Sequence, residues 1–231
     1  MNGLLSVAKV DTGDGDWTAG YTSESLGCAV SVWLADPCTP VPTLISGEDD
    51  IDPSAYLVGS FGIIAKMSRT NRCAEGTELE YIRSAVEEAT ELAAGKAFWE
   101  GFESAEMFLL SPDVETVAAG ANVAETVAKV LRAFAISVPG VEPILHLGYS
   151  AALTVGDALN NEGNLKIGIQ VAVSPGYPAN GVAVTGPVLV RLSSVQALQA
   201  YDRDVNRTNI EANRLGAIEF DPCAAVRAIT A

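Results

Sequence analysis

The chain has 231 residues, 48% of them hydrophobic, enough for one large domain or two small lobes with a real core. No window approaches the ~18 unbroken apolar residues that suggest a membrane span, and Met1–Lys9 lacks the charged segment and apolar run of a secretory signal. A net charge of −15 argues against a protein that grips nucleic acid, whose affinity comes from basic surface. The same charge suits plain solubility, or a surface that lies near nucleic acid without sticking to it.

Residues 1–54 are rich in Gly, Pro, Asp and Ser, with breakers at Asp11–Asp16 and Asp36–Pro42. This region reads as an extended arm that lies against the rest of the chain or a neighbour. Ala55–Met67 reads as a strand whose glycines suggest a bend or bulge. A long helix is predicted over Thr77–Trp99, about 22 residues or roughly 33 Å, ending before Gly101. Thr77 and Glu80 have the spacing of a capping box. Leu79, Ile82, Val86, Ala89 and Ala93 form its apolar stripe. Arg83 and Glu87 make an i,i+4 pair on a wet face that Glu87, Glu88 and Glu91 render acidic.

Ser111-Pro112-Asp113 reads as a helix start. Asn122 and Glu125 form a second capping box, followed by Val123, Val127, Val130, Leu131 and Phe134 at helical spacing, with a stop at Val138–Gly140. Ile144–Leu147 is a short strand, Ser150 is placed to cap a short helix through Leu159, and Asn160–Gly163 is a turn. Leu165–Val173 and Val182–Leu192 alternate as strands on either side of Pro175–Pro178, with an open edge or break at Pro187. Tyr201–Val226 reads as one long strand that stops at Pro222 and continues as a short apolar segment. Thr208, Ile210, Ala212, Gly216, Ile218 and Phe220 share its inner face, with Asn209, Glu211, Asn213 and Glu219 on the other. Arg214 breaks the inner face, either snorkelling to the rim or pairing with an acidic group of the long helix or of a neighbouring subunit.

No catalytic or metal-binding set is complete. Cys28, Cys38, Cys73 and Cys223 lack C-x-x-C spacing, and His146 is the only histidine. Buried thiols suit a reducing cytoplasm, whereas Cys28 and Cys38 could close a loop in an oxidising one. Asp11-Thr12-Gly13 spells an aspartic-protease triplet, but a breaker-rich segment follows it, so a surface turn is expected. Gly148–Ala152 is similar to a nucleophile elbow around Ser150, yet His146 precedes the serine by four residues and no triad can be assembled. The glycines at 13, 15, 20, 95 and 101 fit no phosphate loop, and the Asp clusters near 11–16 and 48–52 lack calcium-loop spacing. Tyr56, Phe61, Phe98, Trp99 and Phe102 read as core or subunit contacts rather than a base-stacking platform. The expectation is therefore no enzyme, no cofactor and no metal.

The order of elements carries a resemblance. Asn206, Arg214, Pro222 and Ala224-Ala225-Val226 resemble the C-terminal strand of tailed-phage major capsid proteins of the Hong Kong 97 type. Gly163–Val173, Pro175–Pro178 and Val182–Leu192 are similar to the paired strands that precede it. Thr77–Trp99 is similar to the family's spine helix and Asn122–Ser137 to a helix of the axial lobe. Residues 73–89 and 98–101 look like a group found in phages of actinobacteria. The resemblance covers roughly residues 55–231. The chain is short for the family, shows no scaffold-like coiled coil before its body, and has the neighbour-reaching two-stranded loop only if Thr43–Val58 supplies it. Nothing singles out a cross-linking lysine among positions 9, 66, 96, 129 and 166.

What the resemblance implies is an α+β Hong Kong 97-type capsid fold. Residues 1–54 would be the arm and loop region, 55–104 and 193–231 a peripheral lobe with spine helix 77–99 and long antiparallel strands, and 105–192 an axial lobe. The implied function is a major capsid protein that assembles in the host bacterial cytoplasm, as hexamers and pentamers, into the icosahedral shell of a tailed bacteriophage. Scaffolding, portal or decoration proteins and weak, non-specific proximity to packaged DNA are the further partners implied, and no membrane. An encapsulin-like nanocompartment shell, or a tail or connector protein, is the alternative. Arg83, Glu87, Glu88, Arg203, Asn206, Glu211, Arg214 and Pro222 are the candidate intersubunit or structural residues.

Overall fold

The computed structural model of the chain describes residues 2–12, 21–25, 54–58, 60–70, 77–101, 107–204 and 206–229. The breaker run at 36–42, the acidic cluster at 48–52, most of Asp11–Asp16, Phe102 and Cys28, Cys38 and Cys73 lie outside them. In chain order the elements are α1 (Leu4–Val7), β1 (Lys9–Thr12), β2 (Tyr21–Ser25), β3 (Ser54–Val58), β4 (Ser60–Thr70), α2 (Glu78–Glu100), β5 (Glu115–Ala118), α3 (Val123–Ser137), β6 (Ile144–Leu147) and α4 (Tyr149–Thr154). Then follow β7 (Gln170–Val173), β8 (Val182–Thr185), β9 (Leu189–Leu192), β10 (Gln196–Asp202), β11 (Arg207–Glu219) and β12 (Ala225–Ile229).

Two sheets organise this α+β chain. In the first, β11 is the axis. It runs antiparallel to β4 from Arg207 opposite Thr70 to Ala217 opposite Ser60. Its other edge pairs first with β10 and then with β9, and β1 adds in parallel to β9. The second sheet has the order β5-β12-β8-β6-β7. β2 and β3 form a separate antiparallel ribbon, Tyr21 opposite Val58 and Ser25 opposite Ser54.

Alternation explains β11. Thr208, Ile210, Ala212, Gly216, Ile218 and the following Phe220 are buried, while Asn209 is exposed and Glu211, Asn213 and Glu219 are half-buried. Helix α2 covers that inner face. Its buried stripe is Ile82, Val86, Thr90, Ala94 and Phe98, four residues apart, and it packs with Phe61, Val190, Ile210 and Ile218 into one core. α3 lays Val127, Val130 and Phe134 on Leu145, Leu147, Val171, Val184 and Val226 to make a second core. Burying Val130 and Phe134 stabilises by about 1.5–3 kcal/mol each, against about 1 kcal/mol for the Asn122 cap. Packing therefore holds α3 more than its cap does.

The caps differ in kind. Asn122 accepts from the Glu125 amide at 2.9 Å, and the Glu125 carboxylate accepts from the Ala121 amide at 2.8 Å. That bond first, and then Lys129, holds the Glu125 pKa below its usual value. Thr77 precedes α2, as the spacing predicts, but has helical φ and ψ of −100° and −3°, and its side chain makes no cap. The start of α2 is tied instead by buried Glu78, whose carboxylate lies 3.5 Å from Arg69 Nη1 on β4. At the other end Gly101, with φ at +75°, takes the chain out of the helix.

Several expectations are corrected. Ser111–Asp113 is a turn before β5, not a helix start, with the Asp113 amide donating to Ser111 Oγ at 3.4 Å. Leu165–Ile169 is no strand. Gly168 adopts φ of +91°, the Leu165 amide donates to the Ile169 carbonyl at 2.9 Å, and Ile167 is left 74% exposed, so only Gln170–Val173 enters a sheet. Val182–Leu192 does break at Pro187, as read, but its halves, β8 and β9, join different sheets. Tyr201 belongs to β10. A hairpin turn through Asn206, at φ of +51°, separates it from β11. Past Pro222, a 3-10 turn leads into β12, which joins the second sheet between β5 and β8. Cys223 in that turn is disulfide-bonded, not a free thiol.

Of the two placements open to the N-terminal segment, residues 2–12 take the first and lie against the rest of the chain. Asn2 bridges to Ala172 beside β7, Leu4 is fully buried in the first core, and β1 closes one edge of the first sheet.

Candidate functional site

The residues that most resemble chemistry do not converge. Ser150 lies exposed in the first turn of α4, whose N-cap is Gly148, so the serine caps nothing. Its amide donates to the Ala179 carbonyl at 2.9 Å. His146 on β6 is fully buried, with Nδ1 3.0 Å from the Tyr177 hydroxyl and Nε2 2.9 Å from Thr185 Oγ1. Thr185 donates its own hydroxyl proton to the Gly186 carbonyl at 2.8 Å, so it accepts from His146. The proton of the imidazole therefore sits on Nε2, and Nδ1 accepts from Tyr177. Burial pushes the His146 pKa down to about 3. Burial, and then the nearby Glu91, raises that of Tyr177. Both groups are neutral near pH 7, and each is satisfied by the others. Asp11 lies on β1, its carboxylate 3.2 Å from Arg191 Nη1. Among the described residues no three His, Cys, Asp or Glu side chains cluster as metal ligands.

This buried chain sits where the two cores meet. Phe98 of α2 packs on His146 with ring centroids 4.7 Å apart and on Phe220 at 5.0 Å, and Trp99 packs on Tyr177 at 5.2 Å. Phe61, Phe98 and Trp99 are thus core residues.

The surface offers more. The face of the first sheet away from α2 carries Ile64, Leu198 and Leu215, all exposed. Lys66 and Glu211 pair across it at 3.0 Å. A groove on this side runs between Lys66, Ser68, Leu198, Ala200, Asn209 and Glu211. The β2–β3 ribbon pairs Tyr21–Ser25 with Ser54–Val58, so Thr43–Val58 supplies only one of its two strands.

The candidate residues fall in three places. Arg83, Glu87 and Glu88 are exposed on α2, and the expected Arg83–Glu87 pair is not among the ion pairs formed by the described residues. Arg203 and Asn206 lie in the hairpin turn between β10 and β11, where Asn206 Oδ1 accepts from the Tyr201 hydroxyl at 3.0 Å. Glu211 and Arg214 are on β11, and buried Pro222 begins the 3-10 turn. Arg214 neither snorkels freely nor meets a carboxylate among the described residues. Nε donates to the Ser193 carbonyl at 2.9 Å and Nη1 to Thr90 Oγ1 at 3.3 Å. Thr90 sits in the buried stripe of α2, where its hydroxyl donates to the Val86 carbonyl at 2.9 Å and remains free to accept from Arg214.

Sequence reasoning placed Glu91 on the wet face of the helix, where the structure turns it onto α1, and missed Tyr177 and Arg191. Glu91 caps the backbone of α1, and Arg191 reaches Glu219 at 2.5 Å as well as Asp11. All three act across more than 25 residues of chain, and no local spacing announces such partners.

No protein-family model matches the chain, and no curated relative matches it. Solved structures do. The capsid of an empty GTA particle is 11% identical, with a TM-score of 0.64 over 97% of this chain and 88% of that one. A virus-like particle from Pyrococcus furiosus is 11% identical, with a TM-score of 0.59 over 99% and 92%. A structure from Gordonia phage Cozz is 11% identical, with a TM-score of 0.58 over 98% and 85%. At such identities the likeness is one of fold, and the fold is that of capsid shell proteins.

Proposed function

We propose that the chain is the major capsid protein of a tailed bacteriophage, a non-catalytic subunit that self-assembles into the icosahedral shell around the genome. The observation that carries this reading is the likeness, over 97% of the chain, to the capsid of a GTA particle. In this reading the fold is of the Hong Kong 97 type. The first sheet with α2 as spine makes the peripheral lobe, and the second sheet with α3 and α4 makes the axial lobe.

Two surfaces of the single chain support assembly. The outer face of the first sheet carries exposed apolar residues, and the β2–β3 ribbon is a separate two-stranded element. A ribbon from one copy laid on the sheet face of the next is a heterologous contact, and such contacts close into rings when the rotation allows. Arg203, Glu211 and the exposed α2 residues Arg83, Glu87 and Glu88 would lie at or near such contacts. Hexamers and pentamers formed this way in the host cytoplasm would build the virion shell.

The test is negative-stain microscopy of the purified full-length chain. Closed icosahedral particles are the expected result. Tubes, isolated small rings or a persistent monomer under a range of concentrations and salts would overturn the proposal. Particles that carry a co-purifying enzyme and no capacity for DNA would instead favour a nanocompartment.

A further inference from the structure

The N-terminal segment touches both sheets. At its start the Asn2 carbonyl accepts from the Val173 amide of β7 at 2.7 Å, and Asn2 Nδ2 donates to the Glu162 carbonyl at 3.0 Å. At its end β1 runs parallel to β9, Lys9 opposite Leu189 to Thr12 opposite Leu192, and the Lys9 amide donates to the Val188 carbonyl at 2.9 Å. Residues 2–12 therefore cross from the free edge of the second sheet to the free edge of the first.

Between those ends one side chain holds the crossing. Glu91 of α2 turns its carboxylate onto the first backbone amides of α1. Oε1 accepts from Leu4 at 2.7 Å and Oε2 from Leu5 at 3.0 Å. These amides have no partner inside the helix, so a carboxylate there satisfies two donors. Gly3 is the residue that lets Glu91 in. A Cβ at Gly3 would stand 2.9 Å from Cδ of Glu91 and 3.0 Å from each of its oxygens. The rest of the segment is held by the β1–β9 pairing, the Asp11–Arg191 ion pair and partial burial of Leu5 and Ala8; Lys9–Thr12 are all exposed, and Leu4 is its one fully buried side chain.

We propose that residues 2–12 are a strap across the two sheets, latched by the Glu91 carboxylate, which opens as a unit, withdrawing Leu4 while the rest of both cores stays folded. Opening uncovers the edge of β7 and the edge of β9 together. Closing blunts both, and exposed strand edges are templates for wrong pairing. The proposal concerns the single chain and does not depend on its assembly.

Hydrogen exchange on the full-length chain, read by mass spectrometry, tests it. The strap peptide spans residues 2–12, the Val173 amide reports the far sheet, and peptides over 127–134 of α3 serve as the reference. Glu91→Ala removes both acceptors. Gly3→Ala leaves Glu91 in place and pushes its carboxylate off the amides. Each variant is expected to speed exchange of the strap and of Val173 about tenfold, since bonds to a carboxylate are worth that much or more, with the reference unchanged. Wild-type exchange in the strap of both variants would overturn the proposal. So would equal acceleration in every peptide, which would make Glu91 a residue of global stability. Should Glu91→Ala fail to fold, Gly3→Ala alone decides by the same two outcomes.

Discussion

At His146 the hydrogen bonds select one protonation state, and that choice has a consequence in acid. Tyr177 donates to Nδ1, Nε2–H donates to Thr185, and Thr185 donates to Gly186. A second ring proton would point at a hydroxyl that already uses its own proton on the ring. The folded pKa of about 3 lies below the ordinary value of 6.5. The unfolded chain therefore binds the proton more readily, and stability is complete above about pH 6.5 and falls as pH drops toward 3. The slope from this one group approaches about 1.4 kcal/mol per pH unit inside that window. Urea unfolding at pH 7, 5 and 4 should show the loss, and His146→Gln, with nothing to titrate, should have a lower stability at pH 7 but a shallower acid limb. Parallel acid limbs for the two proteins would rule the account out. Arg214 gives the complementary lesson: a charge on an inner face needs acceptors rather than a counter-charge, and a carbonyl with a threonine hydroxyl supply them.

Helix α2 meets the β7–β8 connection backbone to backbone. A Cβ on Gly176 would come within 2.5 Å of the Leu92 carbonyl oxygen and 2.6 Å of the Gly95 carbonyl carbon, and backbone atoms of a buried helix cannot step aside. Gly176→Ala should therefore lower the unfolding free energy by roughly 1–3 kcal/mol, the usual range for overpacking. Gly156→Ala is the control, because nothing lies within 4 Å of the atom it adds. Urea melts that lose equal stability in both variants would contradict the close-contact reading. Such contacts also mark what the sequence could reveal. α2, α3 and β11 were legible because each is long and repeats one period against one core. Leu165–Ile169 carries the same alternation, but Gly168 at positive φ turns it into a loop. Val182–Leu192 carries it too, yet Pro187 sends its halves to different sheets. The Asn122 side-chain cap formed because the backbone there is extended, with φ of −149°, and the one at Thr77 did not because Thr77 is already helical. Of the candidate residues, Arg214 was legible as an exception to a pattern. Its partners were not, since Ser193 and Thr90 lie 21 and 124 residues away.

The whole chain carries a charge of −15, and a shell of many copies must bring those charges together. In the proposed assembly the attraction comes from surfaces such as Ile64, Leu198 and Leu215, which salt does not weaken. The opposing term is repulsion among exposed carboxylates, including Glu87 and Glu88 on α2. Salt shortens the reach of that repulsion, from about 30 Å at 0.01 M to about 10 Å at 0.1 M and 3 Å at 1 M. The two terms make opposite demands on an experiment. If apolar contact drives assembly against net charge, raising NaCl from about 20 mM to about 500 mM should move subunits into particles. Sedimentation should then show a smaller free-subunit boundary at the same total concentration. If pairs of opposite charge between copies hold the shell, the same change in salt should release subunits. The ion pairs formed inside the chain favour the first outcome: Lys66, Arg69, Lys129 and Arg191 are already engaged with carboxylates of their own subunit. With 14 basic residues against 29 acidic ones, carboxylates outnumber the cations that could meet them across a contact. A free-subunit boundary that grows with salt would show that the remaining cations are concentrated at the contacts, and that net charge misrepresents the assembling surface.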